Sequence, residues 1–114
     1  MKDEKLYLIH IAESLRRIET YIQGGKAEFM KSTMIQDAVI RNFEVIGEAA
    51  KQISEDIKEQ YLDLPWRRIA GFRDVLIHAY ARVRLDEVWN IIEQDLPELK
   101  RKIDVILKDF EDRS

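Results

Sequence analysis

The strongest constraint on this chain is an apolar repeat of three and four residues that runs through most of its length. Leu8, Ile11, Leu15, Ile18 and Ile22 draw one stripe along a first helix, which Gly24-Gly25 is expected to end. The stretch GGKAEFMKST then reads as a loop closing on Ser32 or Thr33 as the next N-cap. With Thr33 as the cap, Gln36 falls at a capping-box spacing. Val39, Phe43, Ile46, Ala50 and Ile53 form the face of a second helix. Gly47 sits inside that helix, where glycine weakens it and signals close approach by a neighbouring backbone. Ser54, followed by acids, caps a short helix to about Tyr61, and Pro65 suits the first position of a further helix loosened at Gly71. Asp86 or a neighbour opens the last helical region, from Val88 to Phe110. Pro97 is expected to kink or restart it, with Asp95 and Glu98 flanking as cap and third position. Strand alternation and internal repeats are not found. The expectation is one all-α domain over residues 1–114, a bundle of four main helices with a shorter fifth.

At 114 residues the chain is long enough to bury a core without staples. Having no cysteine, it lacks disulfides and thiolate metal sites, and its two histidines lie in separate regions. That composition speaks against a zinc or iron centre, so neither metal nor cofactor is expected. The stretch MKDEKLYLIHIAES lacks the apolar run of a signal peptide, and no window approaches a membrane span. A cytoplasmic protein with no membrane partner is the resulting expectation. The net charge of −3 argues against general coating of nucleic acid. Yet residues 66–84 hold five arginines and one acid, +4 against −7 for the remainder. A local basic patch on an acidic body suits a confined anionic ligand, though it is also what a solvated arginine-rich stretch looks like.

The patch contains AGFRDVLIHAY, residues 70–80, where polar groups interrupt a core pattern. On a helix Asp74 and His78 lie about 40° apart on one face, so the carboxylate can fix the imidazole tautomer and favour its protonated form. Arg73 and His78 are five residues apart, about 140° around the wheel, and do not converge within one straight helix. A helix end near His78, a curled arginine side chain or a second copy of the chain would each bring them together; symmetric pairing is the simplest. A histidine near neutrality can take a proton from a ribose 2′-hydroxyl or give one to a leaving 5′-oxygen, and an arginine fork holds the phosphate between them. Tyr80 could bind a base, support the phosphate or accept a covalent modification. Equally, Asp74 and His78 could be a structural i,i+4 pair worth a few tenths of a kcal/mol. Residue chemistry alone thus leaves a helical domain with a candidate phosphate site.

The order Arg, four residues, His, one residue, Tyr resembles the signature of HepT-like toxins in the HEPN superfamily, with Arg73, His78 and Tyr80 in the three positions. DAVIRNFEVIGEAAKQIS, PWRRIAGFRDVLIHAY and VWNIIEQDLPELKRKI resemble the family's second helix, motif approach and final segment. Asp74 departs from the asparagine common after the arginine, and reads as tuning of His78. The resemblance implies a four- to five-helix HEPN bundle that dimerises, with the arginine and histidine lining a cleft near the dimer axis. It implies a metal-independent endoribonuclease, the toxin of a type VII-like toxin–antitoxin pair. A minimal nucleotidyltransferase antitoxin would neutralise it by transferring AMP to Tyr80, placing bulk and negative charge where RNA phosphate must sit. The alternative is a non-catalytic helical subunit that binds a nucleotidyltransferase and carries Tyr80 as the modified residue. A structural dimer with a decayed motif is a third.

Glu48 matches the family's glutamate and reads either as a surface carboxylate or as a residue orienting Arg73 or His78 across the helix interface. Arg67, Arg68, Arg82 and Arg84 could guide RNA to the cleft, with some solvated or paired to acids of the final helices. Trp66 and Trp89 read as core or interface anchors. His10, on a polar stripe with Tyr7, Ser14, Arg17 and Tyr21, reads as a surface or dimer contact.

Overall fold

The computed structural model describes residues 3–73 and 84–113. Among the described residues there are seven helices and no strand: α1 (Asp3–Tyr21), α2 (Gly25–Lys31), α3 (Thr33–Gln52), α4 (Glu55–Gln60), α5 (66–73), α6 (Leu85–Gln94) and α7 (Leu96–Arg113). The all-α class agrees with the periodicity, but the helix count exceeds the four or five expected. The chain divides more often than its repeat suggests.

The extra division is α2, which replaces the expected loop. Seven residues cannot hold a helix by propensity. Phe29 supplies the tertiary anchor: it is fully buried, with its ring centroid 5.3 Å from that of Trp89. Gly25, at φ +86°, makes the turn out of α1 that a side chain would strain. Of the two candidate caps for α3, Ser32 is the one used, accepting from the Ile35 N–H at 3.2 Å. The Thr33 capping box does not form. The Gln36 amide instead donates to the carbonyls of Phe29 and Met30, satisfying the end of α2.

Ser54 caps α4 as its sequence suggests, accepting from the Ile57 N–H at 3.2 Å. It also ties the chain's beginning to the α3–α4 corner. The buried Glu4 carboxylate accepts from the Ser54 N–H at 2.6 Å and from its hydroxyl at 3.0 Å. Glu4→Ala strands both donors, and since charge-assisted bonds of this kind contribute about 1.5–3 kcal/mol, a loss of about 2 kcal/mol is expected. The check is a lower urea midpoint at unchanged slope.

Pro65 falls one place before the first helical residue of α5, its carbonyl accepting from the Ile69 N–H. The connection before it is pinned to the body. Trp66 Nε1 donates to the Tyr61 carbonyl, the Tyr61 hydroxyl donates to Asp109 at 2.8 Å, and Lys102 Nζ donates to the Asp63 carbonyl at 2.8 Å. α5 continues through Gly71 without loosening. α6 opens at Leu85, the neighbour of Asp86, as expected. Asp86 and Glu87 lie in its first turn, where carboxylates suit the helix dipole. The restart near Pro97 occurs, between Gln94 and Leu96, but not with the capping box. Asp95 gives its side chain to Arg68, and Glu98 gives its own to Arg101 at 2.7 and 3.0 Å. That bond to Arg101 holds the exposed Glu98 carboxyl below its usual range. Its small contribution to the fold is therefore present at neutral pH and lost as pH falls through the lowered value.

The core joins the predicted stripes. Leu8, Ile11, Leu15 and Ile18 of α1 meet Val39, Phe43 and Ile46 of α3 and Ile103 and Ile106 of α7, all buried. α1 packs between α3 and α7, α6 packs on α7, and α2 packs on α3. Among the described residues no helix is long and apolar enough to cross a membrane.

Candidate functional site

α5 lies against α3 at one point of unusually close approach. A methyl group on Gly47 would stand 3.0 Å from the Arg73 backbone nitrogen, 3.1 Å from its Cβ and 3.2 Å from the Ala70 carbonyl oxygen. These distances are tighter than ordinary van der Waals contact, so any side chain at this position would require α5 to give by a few tenths of an ångström. Glycine inside α3 therefore has a cause that the sequence only hinted at. The contact delivers Arg73 to the side chain that follows Gly47 in the chain.

That side chain is Glu48. Its Oε1 lies 3.5 Å from Arg73 Nε, with 40% of the arginine side chain and 59% of the glutamate side chain exposed. The pair is thus a water-accessible ion pair, worth little to stability. Glu48 is a surface residue that lies within ion-pair distance of Arg73. The closest approach runs through Nε. Arg73 has no second carboxylate partner among the described residues. Asp74, His78, Tyr80 and Arg82 lie outside the described residues.

The other arginines of the basic patch divide. Arg68 donates to Asp95 Oδ2 from both Nε (3.1 Å) and Nη2 (2.7 Å), joining α5 to the α6–α7 corner. Arg84 pairs with Glu87 within the first turn of α6. Arg67 is exposed and carries no ion pair among the described residues. The formal +4 of the stretch is therefore reduced locally by acids brought to it in the fold. Sequence reasoning allowed for pairing with the final helices but did not identify Asp95, which it read as a cap.

Both tryptophans are core residues, each 7% exposed. Trp66 satisfies its indole N–H on Tyr61, whereas the buried Trp89 Nε1 has no partner among the described residues. His10 is exposed on α1, its ring edge-on to Tyr7 at 6.4 Å. The polar stripe expected around it does not hold together, because Ser14 is fully buried. Among the described residues no three His, Cys, Asp or Glu side chains are grouped to hold a metal ion.

Comparison with known proteins bears on this geometry. Residues 11–106 match the family described as ribonuclease HepT-like. The chain is 44% identical to a Methanocaldococcus jannaschii protein provisionally named an RNase, over 98% of this chain and 97% of that one. It is 40% identical to the "probable ribonuclease HepT" of Thermococcus cleftensis, over 94% of this chain and 98% of that one. It is also 40% identical, over 96% of its length, to a longer M. jannaschii protein named for a gamma-glutamylcyclotransferase together with a provisional RNase. The chain spans 50% of that relative and nearly all of the other two. No solved structure matches it significantly.

Proposed function

The chain belongs to the HepT-like ribonuclease family, and from that premise we propose that it is a metal-independent endoribonuclease, the toxin of a type VII-like toxin–antitoxin pair. The observation that supports this reading is a partly exposed Arg73, paired with Glu48 beside the Gly47 contact at the position where the motif begins. In the proposed reaction Arg73 binds the scissile phosphate and stabilises charge developing on it. His78 removes the proton from the ribose 2′-hydroxyl, whose oxygen forms the new bond to phosphorus. The 5′-oxygen leaves with a proton returned by a histidine, yielding a 2′,3′-cyclic phosphate. Asp74 orients the imidazole, and Glu48 positions Arg73. Two protomers of a homodimer would bring arginine and histidine into one cleft, removing the angular mismatch of a single straight helix. Arg67, Arg82 and Arg84 would guide the strand, Arg84 and Arg68 more weakly than Arg67 because carboxylates already hold them.

The antitoxin in this proposal is a minimal nucleotidyltransferase that moves AMP from ATP to the Tyr80 oxygen: the oxygen loses its proton and bonds to the α-phosphorus, and the α–β bond breaks to release pyrophosphate. The added phosphate would repel RNA at the cleft. Purified protein is expected to cleave RNA at an undiminished rate in excess chelator. Co-expression with a minimal nucleotidyltransferase antitoxin is expected to add one AMP mass, mapping to Tyr80, and to abolish that cleavage. RNA left intact by unmodified, folded protein would sink the nuclease reading. An unmodified protein in a stable complex would sink the AMP-transfer step alone.

A further inference from the structure

Between α5 and α6 runs a groove of about 430 Å³, within the size range of small-ligand sites. Its α5 wall is bare backbone at Gly71, where a Cβ would meet nothing within 4 Å. Its floor is apolar, made by the buried Phe72 and Ile91. The opposite wall carries Asn90 and Gln94, one helical turn apart, both exposed. Neither amide has a partner among the described residues. Arg68 forms the rim, its guanidinium fixed by Asp95 but its side chain still 60% exposed. Gly71 and Phe72 immediately precede Arg73, so the groove adjoins the arginine that would hold the phosphate.

We propose that this groove is a nucleobase subsite, which seats and reads a base of the RNA strand next to the phosphate at Arg73. The inference rests on the ribonuclease reading above. A flat backbone wall and an apolar floor accept the face of a ring. Two planar amides opposite them offer a donor and an acceptor side by side, the complement of adenine's amino group and adjacent ring nitrogen. The Arg68 plane can stack on the exposed side of the base. The one cation of the described lining, Arg68, is paired with Asp95, and Glu87 lines the groove as well, so this lining offers no unpaired cation to a phosphate and suits the base better.

The test is fluorescence anisotropy with 5′-labelled hexanucleotides of adenosine, cytidine and uridine. Wild-type protein is expected to bind the adenosine oligomer about tenfold more tightly than the uridine one, the discrimination one bidentate amide contact supplies. Asn90→Ala and Gln94→Ala should each shrink that ratio to about twofold or less while leaving uridine binding unchanged. Gly71→Leu, which fills the groove from a position where its Cβ meets nothing, should remove the preference with the helical circular dichroism intact. A preference that collapses supports the subsite whichever base is favoured. Equal binding of all three oligomers by wild type, or a preference that survives these substitutions, overturns it. Cleavage measured on the same samples separates the two readings. Collapse of preference in a protein that does not cleave sinks only the nuclease, and an unchanged preference in one that does cleave sinks only the subsite.

Discussion

Alanine at Arg73 is expected to slow RNA cleavage by about a hundredfold to a thousandfold, the usual cost of removing one preorganised group that stabilises developing charge. The loss should fall chiefly on kcat, because the guanidinium matters most when charge accumulates on the phosphoryl oxygens. Stability should barely move. The Arg73–Glu48 pair is water-accessible on both sides and joined at 3.5 Å, the kind of contact that contributes at most a few tenths of a kcal/mol. Arg73→Lys keeps the charge but not the fork, and should recover only part of the rate. His78→Ala should cost a comparable factor, about a hundredfold to ten-thousandfold for loss of a general acid–base. Single-turnover cleavage of a labelled oligonucleotide, with urea denaturation of each variant, separates activity from fold. Either alanine variant cleaving at the wild-type rate would remove that residue from the mechanism.

The long helices were legible because each buries a stripe that repeats at helical spacing, and α1, α3 and α7 contribute the interlocking core. Ser54 was legible because capping is local chemistry. The α2 helix was not. Its seven residues carry one buried anchor, Phe29, whose partner Trp89 lies 60 positions further along the chain. The capping boxes failed for a related reason. Asp95 had a good local role available and lost it to Arg68, a partner 27 residues away that only the packing of α5 beside the α6–α7 corner supplies. At the site, Gly47 announced a close neighbour without saying which one. Glu48 could be read as a partner of Arg73 or His78, but the sequence did not decide between them or a plain surface site. The distances that make these residues a unit are tertiary, and no short spacing encodes them.

Gly47 is where that tertiary fact can be tested most sharply. Gly47→Ala favours α3 as a helix by about 1 kcal/mol. Against it stands a methyl 3.0–3.2 Å from the Arg73 nitrogen and Cβ and the Ala70 carbonyl oxygen. Two of those three atoms are backbone, which cannot rotate aside as a flexible side chain would, so α5 itself must move. Overpacking of this kind costs about 1–3 kcal/mol, leaving a net loss of up to about 2 kcal/mol for alanine. Gly47→Val adds two further methyl groups and a restricted rotamer, so a loss of at least about 3 kcal/mol is expected. The displacement falls on Arg73 and its register with Glu48. Cleavage by Gly47→Ala should therefore drop by about tenfold even where urea titration shows the protein fully folded, since small misplacements of a positioned group are costly. A Gly47→Ala protein that is both more stable and fully active would mean that α5 shifts freely, and that the close contact does not set where Arg73 points.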